Sequence, residues 1–225
     1  MRVARTLVIA TVLALAGCGE SGEKLQEQIV KGKALVAEGK FDAAAAELKK
    51  ATEADKNSVD AWMQLGHAYR GMKQYENALS AYTAAKRIDR NSVVPHVAHA
   101  KVEVVLGHIE QATTELNFVV EMDPKNLEAL ILLGQVSQMP SKLPDGTTGV
   151  SKASLERAEL NLQAATTLAP HNVEANFELA KVYGKLGKRA DAIAVLKKLE
   201  ALAASDTAAK KLLPEIQQVL KALGG

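Results

Sequence analysis

Apolar side chains recur at three- and four-residue spacing from Leu25 almost to the end of the chain, interrupted by short polar turns, and this rhythm predicts successive helices. The rhythm itself repeats every 34 residues. Numbering Val59–Ser92 from 1 to 34 gives a frame in which position 8 is always small, as Gly32, Gly66, Ala100, Gly134 and Ala180. Position 20 is likewise small, as Ala44, Ala78, Ala112, Ala158 and Ala192. Position 24 carries a large side chain each time, as Leu48, Tyr82, Leu116, Leu162 and Leu196. Small residues at 8 and 20 let two helices approach closely while 24 fills the space beside them, so each repeat reads as a helical hairpin. Five repeats span 25–58, 59–92, 93–126, 127–172 and 173–206, the fourth longer by 12 residues.

Turn chemistry supports the same frame. Position 34 holds Ser58, Ser92, Asn126, Asn172 and Asp206, all good N-cap residues where the next helix must begin. Pro124 and Pro170 lie in the preceding turn, where a missing N–H is harmless. Gly39, Gly107 and Gly187 mark the end of a first helix, where a left-handed residue is needed. The extra residues of repeat four, 139–150, read MPSKLPDGTTGV and form a non-helical loop between its two helices, equally a partner contact or a neutral insertion. From Thr207 to Leu223, Leu212, Leu213, Ile216, Val219, Leu220 and Leu223 fall at helical spacing, so 207–225 is read as a capping helix and tail, with Pro214 either opening that helix or kinking it.

In the second repeat, Trp62, Leu65, Gly66, Tyr69, Ala78, Tyr82 and Ala85 stand where the tetratricopeptide-repeat (TPR) family has its signature residues, and the chain resembles that family. The resemblance implies an all-α fold, a right-handed superhelical solenoid of five hairpins closed by the C-terminal helix. It also implies that positions 2, 5, 9, 12 and 13 of each first helix line a concave groove. Positions 5 and 9 pair Ile29 with Lys33, Met63 with His67, Val97 with Lys101, Ile131 with Gln135, and Phe177 with Lys181. Arg70 and Lys185 add cations at positions 12 and 13. An apolar row beside a largely basic one suits a protein or peptide segment with aliphatic and acidic side chains, although position 5 has a structural role and lysines are common on any solvated helix face.

The N-terminus follows different rules. Residues 1–20, MRVARTLVIATVLALAGCGE, place two arginines before an apolar stretch too short to span a bilayer, which reads as a signal-peptide core. Leu15-Ala16-Gly17-Cys18 resembles the lipobox of bacterial lipoproteins. That resemblance implies removal of 1–17, lipidation of Cys18, a short tether over 18–24, and anchorage through lipid to a membrane of the bacterial envelope. Gly19 after the cysteine, rather than Asp, favours the outer membrane, facing the periplasm. Without Arg2 and Arg5, the 28 basic residues fall to parity with the 26 acidic ones, which argues against nucleic acid as partner. An aromatic share of only 4% and an apolar share of 48%, carried by Ala, Leu and Val, favour helices with almost no sheet.

Candidate chemistry is sparse. Cys18 is the one cysteine, and no glycine-rich phosphate loop or serine nucleophile turn occurs, so neither an enzyme nor a cofactor is expected. In repeat three, His96, His99 and Glu103 share a helix face at i, i+3 and i+7. Two imidazoles and a carboxylate so placed are either ligands for a transition metal or packed, hydrogen-bonded side chains that make the repeat pH-sensitive. Five repeats and a cap on a lipoprotein look most like the pilotin-type members of the repeat family, and that resemblance implies a membrane-anchored interaction scaffold acting in assembly of an envelope complex such as a pilus secretin or polysaccharide exporter. A metal- or pH-responsive binder and a homo-oligomeric structural protein are the alternatives.

Overall fold

The computed structural model describes residues 22–143 and 146–224. The signal segment 1–17 and Cys18 lie outside the described residues. Helix α1 covers 22–37, so residues 22–24, expected as the end of a tether, form its first turn instead. Glu23 and Lys24 are good helix formers and stay exposed there, so the helix extends into the tether without burying anything. In chain order follow α2 (Phe41–Ala54), α3 (Val59–Gly71), α4 (Tyr75–Ile88), α5 (Val93–Leu106), α6 (Ile109–Met122) and α7 (Leu127–Val136). Strands β1 (Ser141–Lys142) and β2 (Thr148–Gly149) then precede α8 (Lys152–Leu168), α9 (Val173–Lys185), α10 (Arg189–Leu202) and α11 (Thr207–Leu223). No helix among the described residues is long and apolar enough to cross a membrane.

The chain divides between Val102 and Glu103 into two compact units. In the first, Ala44, Ala45, Leu48, Leu65, Ala68 and Ala81 form a core from α2, α3 and α4, with Trp62 and Tyr69 packed on it. In the second, α11 lays Ala209, Ile216 and Leu220 against Phe177, Leu196 and Leu199 of α9 and α10. Burying each of these large apolar side chains stabilises the fold by about 1.5–3 kcal/mol. Pro214 sits in the middle of α11, not in its first turn. It faces solvent, so the carbonyl it leaves without a helical donor stays within reach of water.

Glycine at position 8 lies directly against the side chain at position 24 of the same repeat. A β-carbon on Gly32, Gly66 or Gly134 would overlap Leu48, Tyr82 or Leu162 respectively. Tyr82, Leu48, Leu162 and Leu196 are fully buried.

The turns inside four repeats share one geometry. Gly39, Lys73, Gly107 and Gly187 all have positive φ. At each, the next residue's N–H reaches back five residues, as Lys40 to Leu35, Gln74 to Tyr69, His108 to Glu103 and Lys188 to Tyr183, every bond 2.9 Å long. These are Schellman motifs, and the left-handed residue they need explains the three glycines. Lys73 occupies that conformation at φ 59 with a β-carbon, a departure the repeat frame contains but glycine-spotting misses.

Between repeats, Ser58, Asn126, Asn172 and Asp206 cap α3, α7, α9 and α11 by accepting the N–H three residues on, from Ala61, Ala129, Ala175 and Ala209. Asp55, Asp89 and Asp123 at position 31 add a second device, each accepting a backbone N–H two residues on through Oδ1. The insertion of repeat four folds into a minimal antiparallel ladder, Ser141 opposite Gly149 and Lys142 opposite Thr148. The residue that follows it, Ser151, accepts from the Ser154 N–H to cap α8.

Candidate peptide-binding surface

The position-5 side chains are core. Ile29, Met63, Val97, Ile131 and Phe177 are only 3–6% exposed, so their apolar surface is committed to packing before any partner arrives. The polar row beside them is engaged as well. Lys33 Nζ lies 2.7 Å from Asp60 Oδ2, and Gln135 Nε2 lies 2.8 Å from Glu174 Oε1. In both cases position 9 of one repeat meets an acidic position 2 of the next. The acids Asp60 and Glu174 were readable in the sequence, and only the stacking of consecutive first helices shows whom they serve.

His67 departs from this scheme. Its Nδ1 is 2.9 Å from Tyr82 Oη, and the two rings meet edge to face. Burial, reinforced by the positive charges of Arg70 and Lys101 against an opposing Asp60, lowers its pKa to about 4. At neutral pH it is therefore an uncharged, packed ring beside the exposed Arg70. Burial also raises the Tyr82 hydroxyl to about 12, against a smaller opposing effect of Arg70.

A polar cluster lies where α9 passes the end of α7. Glu178, 8% exposed, accepts from Gln138 Nε2 at 2.9 Å and from Lys181 Nζ at 2.8 Å. Gln138 in turn accepts from Lys185 Nζ at 3.1 Å and donates to the Gly134 carbonyl. Lys181 Nζ also stands 5.3 Å from the centroid of the Phe177 ring, a cation–π distance. The result is a connected set in which Glu178 is the one buried carboxylate, Lys181 bonds it beside the Phe177 ring, and Lys185 reaches it only through the amide of Gln138. Partial burial lowers the Lys185 pKa, with like-charge repulsion from Lys181 adding to it and Glu178 opposing. Sequence reading named the lysines and missed Glu178 and Gln138, whose role depends on α7 ending beside α9.

Glu103, 6% exposed, is directed at His108, with Oε2 2.7 Å from Nδ1. His108 follows the Gly107 turn, which swings it back over the helix end. Among the described residues no three His, Cys, Asp or Glu side chains form a group able to hold a metal ion.

Two tetratricopeptide-repeat profiles match this chain, over residues 29–93 and 152–216, together more than half of it, and the chain belongs to that family. It is 27% identical to human Superkiller complex protein 3 over 122 residues, which are 53% of this chain but only 8% of that protein. Among solved structures, the MamA fragment 41-end from Desulfovibrio magneticus superposes with a TM-score of 0.69 at 20% identity, over 82% of this chain and 97% of that one. YrrB, described as a TPR protein with an unusual peptide-binding site, superposes with a TM-score of 0.61 at 21% identity, over 82% and 89%. These likenesses establish the helical-repeat fold, and proteins of this family mediate interactions with protein or peptide partners.

Proposed function

We propose that the protein is a lipid-anchored scaffold of the bacterial envelope that binds an acidic protein segment on the first-helix surface, with no catalytic role of its own. The observation that carries the binding part is the Lys181–Lys185 pair. Two ammonium groups stand near one buried carboxylate, Lys181 bonded to Glu178 and Lys185 only to the neutral amide of Gln138, and Lys185 holds its proton less tightly than a free lysine. An incoming Asp or Glu side chain removes that imbalance, so the surface favours an acidic ligand. The peptide-binding site ascribed to YrrB, a protein of the same fold, lends this reading weight. Anchorage rests on the Leu15-Ala16-Gly17-Cys18 tetrad, and several acyl chains at about 0.8 kcal/mol per buried CH₂ hold a protein at a membrane without a spanning helix. Placement on the outer membrane, facing the periplasm, follows from Gly19. A role in assembling a pilus secretin or polysaccharide exporter is the pathway-level form of the same reading.

The test is chemical cross-linking of the full-length protein in native envelopes, followed by mass spectrometry, with Lys185→Glu as control. Lys185 is exposed, whereas reversal at Lys181 would set a second acid against Glu178 and confound folding with binding. Recovery of an assembly component that the control loses supports the proposal; equal recovery by the control, or recovery of this chain alone, overturns it. In parallel, Cys18→Ser releases the protein from membranes if the anchor is lipid, and retention with unchanged N-terminal mass refutes the anchor.

A further inference from the structure

Between α6, the end of α7 and α8, within the second unit, lies a cavity of about 350 Å³. Its walls include Thr113 and Asn117 of α6, Ser137 and Met139 beyond α7, and Arg157 and Asn161 of α8. The repeat frame explains why it exists. Ser137 occupies position 11, which holds Tyr69 in repeat two and Tyr183 in repeat five. Tyr69 packs on the cluster containing Ala45 of the preceding α2, with Lys49 Nζ 5.7 Å from its ring centroid. Tyr183 likewise packs on Ala158 and Leu162 of the preceding α8, and its hydroxyl accepts from Gln163 Nε2 at 3.3 Å. Thr113 stands at the repeat position of Ala45, and Asn117 at that of Lys49 and Gln163. In repeat four the wall that receives a tyrosine is thus present and the tyrosine is not. Helix α7 also stops at 10 residues, against 13 for α3 and α9, so the turn that would bear the ring gives way to the β1–β2 insertion.

We infer that this cavity is a docking site for a tyrosine side chain of a partner protein segment, which enters where the chain's own repeats place Tyr69 and Tyr183. The floor buries the ring against Leu133 and Val136, both less than 4% exposed, and the amide of Asn117 meets the phenol as Gln163 meets Tyr183. A buried aromatic anchor in a preformed pocket is a frequent energetic centre of protein interfaces. The site goes beyond the acidic-segment surface and shares no residue with it.

The experiment is a ¹H–¹⁵N titration of the lipid-free protein, residues 19–225, with p-cresol, toluene and N-acetyl-tyrosinamide. The folded state of that protein is checked first by its helical circular dichroism and amide dispersion. Saturable shifts confined to the amides of Thr113, Asn117 and Ser137, with p-cresol at least threefold tighter than toluene and N-acetyl-tyrosinamide no weaker than p-cresol, are expected. Ser137→Tyr fills the cavity from within, raises Tm and weakens binding at least tenfold. Asn117→Leu, at an exposed position, keeps the fold and removes the preference for p-cresol over toluene. Absence of saturable shifts, or equal binding by Ser137→Tyr, overturns the inference. Binding of p-cresol without N-acetyl-tyrosinamide overturns the protein occupant in favour of a small phenol. Because Lys185→Glu leaves this cavity untouched, its effect on partner capture and the effect of Ser137→Tyr fail or succeed independently.

Discussion

His67 and Tyr82 are joined across the two helices of one hairpin, Nδ1 to Oη at 2.9 Å, with the ring of Tyr82 fully buried and pressed against Gly66. The imidazole is held neutral by burial, with a folded-state pKa of about 4 against an ordinary 6.5. The unfolded chain therefore binds the proton first as pH falls. This contribution to stability is complete above about 6.5, is lost progressively between 6.5 and 4, and changes no further below. The shift corresponds to about 3 kcal/mol. Urea denaturation across that range should show a falling limb for the native protein and a shallower one for His67→Gln.

The same contact makes Gly66 intolerant of a single methyl group. In Gly66→Ala the added β-carbon meets the rigid Tyr82 ring, and the expected loss is about 1–3 kcal/mol despite the better helix propensity of alanine. Gly134→Ala meets the branched end of Leu162 instead, and repeat five already accommodates Ala180 in the cluster with Leu196. Its expected change is less than about 1 kcal/mol. Comparing the two by thermal and urea unfolding separates a stiff neighbour from a yielding one.

Lys73 bears a β-carbon in the left-handed conformation that three sister turns give to glycine. Lys73→Gly should raise stability by about 0.5–1 kcal/mol, the relief of left-handed strain partly offset by the greater freedom of glycine in the unfolded chain. A lower Tm would mean that the lysine side chain supplies a compensating contact.

Ser151, directly after the insertion, caps α8 by accepting the Ser154 N–H. Ser151→Ala should cost about 1 kcal/mol. Hydrogen exchange should quicken at Ser154 and its neighbours in the first turn of α8, while α9 keeps its protection.

Much of this protein is legible as text because its fold is built from local, recurring requirements. The small residue at position 8, the large one at 24 and the cap at 34 each satisfy a rule that acts within a few turns of helix, so Gly66, Tyr82 and Ser58 announce their places without a structure. The Lys73 turn was hidden because local sequence marks a left-handed residue by glycine, and here the Schellman bonds impose the conformation on a lysine.

The surface chemistry was much less visible. Position and residue type nominated Lys33, Gln135, Lys181 and Lys185 as ligand-facing groups, and tertiary structure decided that each already has an acceptor in the protein. Those partners lie on a neighbouring repeat or one turn away, and whether two side chains touch depends on the offset between stacked helices, which no single helix encodes. Glu103 shows the same thing at shorter range: the turn after α5 brings it His108, a partner that the i, i+3, i+7 periodicity does not announce. What the sequence alone determined is the repeat, its hairpins and their caps, because those follow from bonds between near neighbours. What only the tertiary structure decided is which charges are spent inside the protein and where a cavity is left, because burial and unfilled volume are properties of packed neighbours far apart in the chain.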